Sequence, residues 1–300
     1  MLLSGCQSGK LGNFFASLFG KPKPPIVADI KYVVGPGYPA GGIWYYPRES
    51  FSYDMTGIAE IIATPHQPLT TDGEIFDANA MAGAHQTLQL PVIVRVTNLS
   101  NGRQVRLRLN DRGPAMPSRI LAVTRRAAEL LAFDPDGTAR VRVEVDPAPS
   151  QALAQQLNGA ASRIDVQTAP VGSVQSASLP PPPGFRAAAP RGSTPLADPT
   201  AAGFETDEQV VPLHLPEAIL QVAPMPGTLW IIAGSFGRAA YARRRAAQLA
   251  DTGAVTGIVH DAGQTSYTVR IGPIDTIAAA DSLMQQVIRD GVSDARVIVE

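Results

Sequence analysis

Three side chains carry the chemistry this sequence offers: Asp111, Glu74 and His85. Asp111 closes an alternating run, Val105-Arg106-Leu107-Arg108-Leu109-Asn110, and Arg112-Gly113-Pro114 follows it. A carboxylate at the end of a strand, just before a Gly-Pro turn, is held by a rigid element beside the loops where grooves form. Glu74 comes directly after Asp72-Gly73, a turn pair. Placed near Asp111, its charge would raise the neighbour's pKa and keep one carboxyl protonated near neutral pH, the condition for general acid catalysis. His85 can hydrogen-bond a carboxylate or a hydroxyl. Each has an ordinary alternative: Asp111 as a residue capping its own turn, Glu74 as a solvated strand-edge carboxylate, His85 as a half-buried histidine with a satisfied ring. Asn110 and Arg112 flank Asp111 and could bind the same ligand. Arg112 would lower the Asp111 pKa if the two met, but successive strand residues face opposite sides.

The elements that must position these groups are short strands. Val92-Ile93-Val94-Arg95-Val96 is a β run, and Asn101-Gly102 after it favours a tight hairpin. In the following run Val105, Leu107 and Leu109 alternate with Arg106, Arg108 and Asn110, the period of a strand with one buried face. Thr124 caps a helix running to about Phe133, Asp134-Pro135-Asp136-Gly137 turns, and Val141, Val143 and Val145 alternate in a closing strand. Many short strands with one helix predict a small, mainly β barrel over 31–146. Residues 227–300 read as strand, helix, strand, strand, helix, strand: a small α+β domain of ferredoxin-like (βαββαβ) plan with an internal duplication. Between them, 147–226 is rich in Ala, Ser, Gln and Pro, with Pro180 to Pro183 consecutive; this composition predicts a disordered linker.

The 300 residues suffice for two such domains, and a net charge of −1 gives no general pull toward nucleic acid. The single cysteine, Cys6, excludes an intrachain disulfide and a Cys-based zinc site, and His66, His214 and His260 show no metal spacing. No metal or cofactor is expected. No stretch has the length of a transmembrane helix. Arg243-Arg244-Arg245 is a charge run open to two readings, a contact for acidic polymers or a solvated helix face.

Three segments resemble a known motif or family. Leu3-Ser4-Gly5-Cys6 resembles a bacterial lipobox, so residues 1–6 are read as the remnant of a signal peptide, Cys6 as the lipidated residue, 7–30 as a spacer, and the true start as lying upstream. Residues 32–146 resemble the rare lipoprotein A family, on Tyr45-Tyr46-Pro47, Thr56-Gly57-Ile58-Ala59, Asp72-Gly73-Glu74-Ile75-Phe76-Asp77, Ala84-His85-Gln86-Thr87-Leu88, Val96-Thr97-Asn98-Leu99 and Asn110-Asp111-Arg112-Gly113-Pro114. Residues 227–300 resemble the sporulation-related repeat (SPOR) domain. The resemblance implies a double-psi β-barrel with Asp111, Glu74 and His85 as site residues. It also implies lytic transglycosylase activity on peptidoglycan glycan strands denuded of stem peptides, in septal wall remodelling. Asn110 and Arg112 would bind substrate, Ser235 and Phe236 would contact glycan in the SPOR domain, and divisome proteins are implied as partners of an envelope lipoprotein anchored through Cys6. The chain departs from the family pattern at Glu60-Ile61-Ile62-Ala63, where Trp-Tyr-Gly is usual, and at Thr64 to Pro68, before the family's Thr-Ala-Asn-Gly-Glu block. It departs again at Ala122, where an Asp is usual, and at Ile232, where a Gln is frequent. Two other readings stand beside this one: a non-catalytic peptidoglycan-binding septal lipoprotein, and a glycoside hydrolase on the same barrel.

Overall fold

The computed structural model describes residues 27–62, 67–161, 214–261 and 264–300. Cys6, His66, the spacer up to residue 26 and the four consecutive prolines lie outside the described residues. Among the described residues no helix is long and apolar enough to cross a membrane.

A hairpin of β1 (Tyr38–Ala40) and β2 (Ile43–Tyr45) precedes the barrel. Six strands then close on themselves: β3 (Asp54–Ile61), β4 (Ala82–His85), β5 (Val92–Asn98), β6 (Arg103–Asp111), β7 (Leu121–Val123) and β8 (Thr138–Val145). Their order is β4-β7-β3-β8-β5-β6, and β6 returns to β4. The pairs β3–β7 and β4–β6 are parallel and the others antiparallel, as a double-psi barrel requires. The alternation read from sequence fills the interior: Val94 faces Val145 and Val96 faces Val143, all buried, with Leu107 and Leu109 beside them. Gly102 sits at φ +77°, the left-handed turn its sequence position anticipates. Thr124 caps α1 (Arg125–Leu131) by accepting from the Ala127 amide, and Ala127, Ala128 and Leu131 pack into the barrel core.

Both ends of the segment read as linker are ordered. Helix α2 (Pro147–Ala161) lies on the outside of β5. There the Ser150 hydroxyl donates to the Ile93 carbonyl at 3.0 Å and accepts from its amide at 3.1 Å, while Leu153 and Ala154 are buried. An Ala/Gln-rich stretch has good helix propensity, and this surface supplies what composition alone does not show. Beyond it, residues 214–226 form a strap along the barrel. Its strand β9 (Ile219–Gln221) pairs with Arg103 to Val105, the half of the β6 edge that β4 leaves open.

The C-terminal domain has the expected βαββαβ order: β10 (Leu229–Phe236), α3 (Ala239–Gln248), β11 (Val255–Asp261), β12 (Gln264–Ile274), α4 (Ile277–Arg289) and β13 (Arg296–Val299). The antiparallel sheet runs β11-β12-β10-β13. Leu229, Ile231, Ala233, Val269, Ile271 and Val297 bury one sheet face against Ala242, Ala280, Met284 and Val287 of the helices. Alternation puts Trp230, Thr268 and Arg270 on the other face, where the Arg270 guanidinium lies 4.6 Å from the Trp230 ring centre.

Candidate active site

The parallel pairing of β4 with the end of β6 brings the distant parts of the sequence together. Asp111 pairs with Ala84, and the loop carrying Glu74 folds over the same end of the barrel through the amide of Asp72, which donates to the Asn110 carbonyl at 3.2 Å. Asp111, Glu74, Asn110 and Arg108 line one cavity of about 300 Å³, at the small end of ligand pockets. Its other walls include Phe76, Met81, Gly83, Ile30 from the segment before the barrel, and His214 and Leu215 from the strap.

Glu74 is buried and fully engaged. Arg108 donates Nε and Nη2 to Oε1, each at 2.5 Å, and Asn110 Nδ2 donates to Oε2 at 2.6 Å. Two oxygens fixed by an almost fully buried guanidinium and an amide make an immobile negative charge on the cavity wall. Asp111 is held differently. Its Oδ1 accepts from the Thr71 amide at 3.0 Å, the Thr71 hydroxyl at 2.5 Å and the Arg112 amide at 2.8 Å. Oδ2 takes no hydrogen bond from the described residues. One oxygen is clamped, and the other is left to hold or pass a proton.

The remaining residues singled out from sequence fall in varied places. Asn110 lines the cavity but spends its amide on Glu74. Arg112 turns away from the cavity: it donates to the carbonyls of Val34, His85 and Leu88 and so ties loops together. His85 is 2% exposed and is not part of the cavity lining. Its Nδ1 accepts from the amides of Thr87 and Leu88, both at 3.1 Å, so the ring proton sits on Nε2 and is donated to the Tyr53 hydroxyl at 3.1 Å. Burial pushes its pKa down to about 3, with the Arg112 charge adding to the effect. This is the packed, satisfied histidine left open as the alternative, neutral across the physiological range. In the second domain Ser235 is exposed on the open sheet face, paired with Thr268. Phe236 is on the helix side, with Arg245 of α3 5.7 Å from its ring centre. A bulge between Ile232 and Ser235, with Gly234 at φ +122°, breaks the alternation and turns Phe236 over. The aromatic on the open face is Trp230, which the residue pattern did not single out.

Sequence reasoning also missed Arg108 and Asp72. Arg108 had a signal: alternation places it on one face with Asn110, so two donors there called for an acidic partner. Asp72 is 1% exposed. Its Oδ1 accepts from the Thr70 hydroxyl at 2.7 Å and the Glu74 amide at 3.2 Å, but its buried Oδ2 has no partner among the described residues. Burial, then the nearby Glu74 charge, raises its pKa to about 7. Folding therefore favours the protonated form: stability is highest below about pH 4 and falls as pH rises toward 7. Asp72→Asn keeps the Oδ1 contacts and cannot ionise. Thermal melts from pH 4 to 8 are expected to show a gain on the order of 1–3 kcal/mol at pH 8 and little change at pH 4. An equal shift at both ends would show that Asp72 does not titrate in this range.

Residues 53–143 match the model of the lytic transglycolase family, and residues 226–297 match the SPOR domain model; the two take in more than half of the chain. Three relatives are described as endolytic peptidoglycan transglycosylase RlpA. That of Rickettsia bellii is 41% identical over 117 residues, 38% of this chain and 52% of the relative. That of Rickettsia prowazekii is 34% identical over 165 residues, 52% of each chain. That of Pseudomonas aeruginosa PAO1 is 44% identical over 113 residues, 37% of this chain and 33% of the relative. The chain thus spans about half the length of the Rickettsia relatives and a third of the Pseudomonas one. Fold and site define a double-psi barrel of the lytic transglycosylase type joined to a SPOR domain. Over its barrel the chain is similar to these RlpA relatives, and a SPOR domain follows.

Proposed function

We propose that this chain is an endolytic peptidoglycan transglycosylase that cleaves glycan strands lacking stem peptides and leaves 1,6-anhydro ends. The observation that carries the reading is the pair of unlike carboxylates on one cavity wall: Glu74 saturated by Arg108 and Asn110, Asp111 with one oxygen free. Breaking a glycosidic bond requires a proton on the leaving oxygen, and positive charge then builds on the sugar ring. Asp111 supplies the proton from Oδ2, and the fixed Glu74 charge stabilises the cationic ring. The sugar's own 6-hydroxyl then attacks the anomeric carbon. Asp111, now a carboxylate, takes the hydroxyl proton, and the enzyme returns to its starting state without consuming water. His85, Arg112 and Asn110 act as positioning residues: Asn110 on Glu74, the other two on the loops beneath Asp111.

The SPOR sheet, through Ser235 and the Trp230 face, holds the strand being cleaved. Lipidation at Cys6, an envelope location enriched at the septum, and contacts with division proteins complete the proposal. A second reading, binding to peptidoglycan without cleavage, is favoured by one observation: Ala122 on β7 is a buried methyl where the family pattern has a carboxylate. Digestion of denuded glycan strands with the purified protein, followed by mass analysis, separates the readings. Anhydro-ended fragments are expected. Sedimentation with sacculi and no fragments would support the binding role, and fragments with reducing ends would support a hydrolase.

A further inference from the structure

The outward row of β3 poses a packing problem that the barrel alone does not solve. Thr56, Ile58 and Glu60 alternate with residues that face the interior, so Ile58 points out of the barrel. Yet its exposure is 0%, and its neighbours are the core residues of the SPOR domain, not of the barrel. Leu99, on the turn after β5, is buried in the same cluster. Around this apolar contact runs a ring of polar ones. The Thr56 hydroxyl donates to the Val299 carbonyl at 2.8 Å and accepts from the Val299 amide at 3.0 Å, which closes the edge that β13 leaves unpaired. Arg140 donates to the carbonyls of Gly227 at 2.7 Å and Asp275 at 3.0 Å. The Met225 amide donates to the Leu99 carbonyl at 2.9 Å.

One member of this ring is ionic. Arg119, 5% exposed, grips Asp281 of α4 with both terminal nitrogens, Nη2 to Oδ2 at 2.9 Å, and the Ser118 hydroxyl donates to Oδ1. Burial alone would raise the Asp281 pKa; the Arg119 and Ser118 bonds outweigh it and hold the carboxyl below the usual range. Glu60 of β3 stands 3.6 Å from the Arg119 Nε, so this buried guanidinium is balanced by one carboxylate from each domain. Ser118 and Arg119 end the loop that begins at Asp111. The Arg119 and Pro114 carbonyls of that loop both accept from Gln86 Nε2.

We propose that the SPOR domain docks in cis on the outer face of β3, with Arg119–Asp281 as the keystone, so that barrel and SPOR domain act as one rigid unit and the docked domain braces the loop behind Asp111. The inference does not depend on whether the barrel cleaves glycan. A bound strand would then lie in a set orientation to the cavity, instead of being held at whatever distance a free linker allows.

Pulsed electron resonance tests this on the full chain. Cys6→Ser removes the native thiol, and Arg125→Cys on α1 with Ala247→Cys on α3 provides two exposed label sites. A single narrow distance distribution is expected. Asp281→Arg sets two guanidinium groups against each other in a largely buried contact, and should lower the docked-to-undocked ratio on the order of a hundredfold or more, seen as a broad distribution. Adding Arg119→Asp should restore the narrow peak in part, since Glu60 stands 3.6 Å from that position. Asp294→Ala breaks only an ion pair within the SPOR domain, to Arg245, and should leave the peak unchanged. A broad distribution in the parent protein, or a narrow one that survives Asp281→Arg, overturns the proposal.

Discussion

Asp111→Asn is expected to end the formation of anhydro-ended fragments while leaving the fold and sacculus binding intact. Asparagine keeps an oxygen at Oδ1, so the contacts from the Thr71 amide and hydroxyl and the Arg112 amide can all persist. What changes is the free corner of the side chain. Oδ2 becomes an NH₂ group that can neither release a proton to the leaving oxygen nor take one from the attacking hydroxyl. Both halves of the reaction lose their proton carrier, and general acid–base catalysis of this kind contributes about 10²–10⁴-fold to rate. The loss should be in turnover, with pelleting on sacculi unchanged, because the SPOR sheet is untouched. Thermal stability should move by less than about 1 kcal/mol, as for a substitution that keeps its hydrogen bonds. A variant that retains activity within a few-fold of the parent would remove Asp111 from the reaction.

How much of this was legible beforehand depends on the range of the interaction. The β6 alternation, the Asn101-Gly102 hairpin, the Thr124 cap and the βαββαβ order were readable because each is decided within a few residues of chain. The site was half legible. Strand ends and turns marked Asp111 and Glu74, but their shared cavity needs the parallel β4–β6 pairing, which no local pattern encodes. His85 shows the reverse: its type suggested chemistry, while burial and two amide donors made it part of the scaffold. Phe236 lies on the helix side of the sheet because one bulge at Gly234 shifts a period-two pattern by a residue, and no local pattern announces the bulge. The ordering of 147–161 and 214–226 was invisible for a different reason. Their stability comes from the surfaces they cover, Ile93 beneath Ser150 and the free half-edge of β6 beneath β9. Ile58 belongs with these, since an outward isoleucine announces a partner without saying which.

The largest stability effect should come from Arg108→Met. Methionine roughly matches the length of the arginine stem, so packing is nearly kept and the charge is what is lost. Glu74 would retain only Asn110 Nδ2, with the buried Asp72 carboxyl close by. Breaking a buried ion pair by removing one member costs about 3–5 kcal/mol, because the survivor is left as an uncompensated charge. Urea unfolding at pH 7.5 measures the deficit relative to the parent. Glu74→Gln in the Arg108→Met background should recover much of the loss at pH 7.5, because the pair is then replaced by neutral groups, and the double-mutant cycle would assign the coupling to this pair. A deficit below about 1 kcal/mol at pH 7.5 would mean that Arg108 does not balance a buried Glu74 charge. The fixed negative charge on which the cavity chemistry relies would then be gone as well.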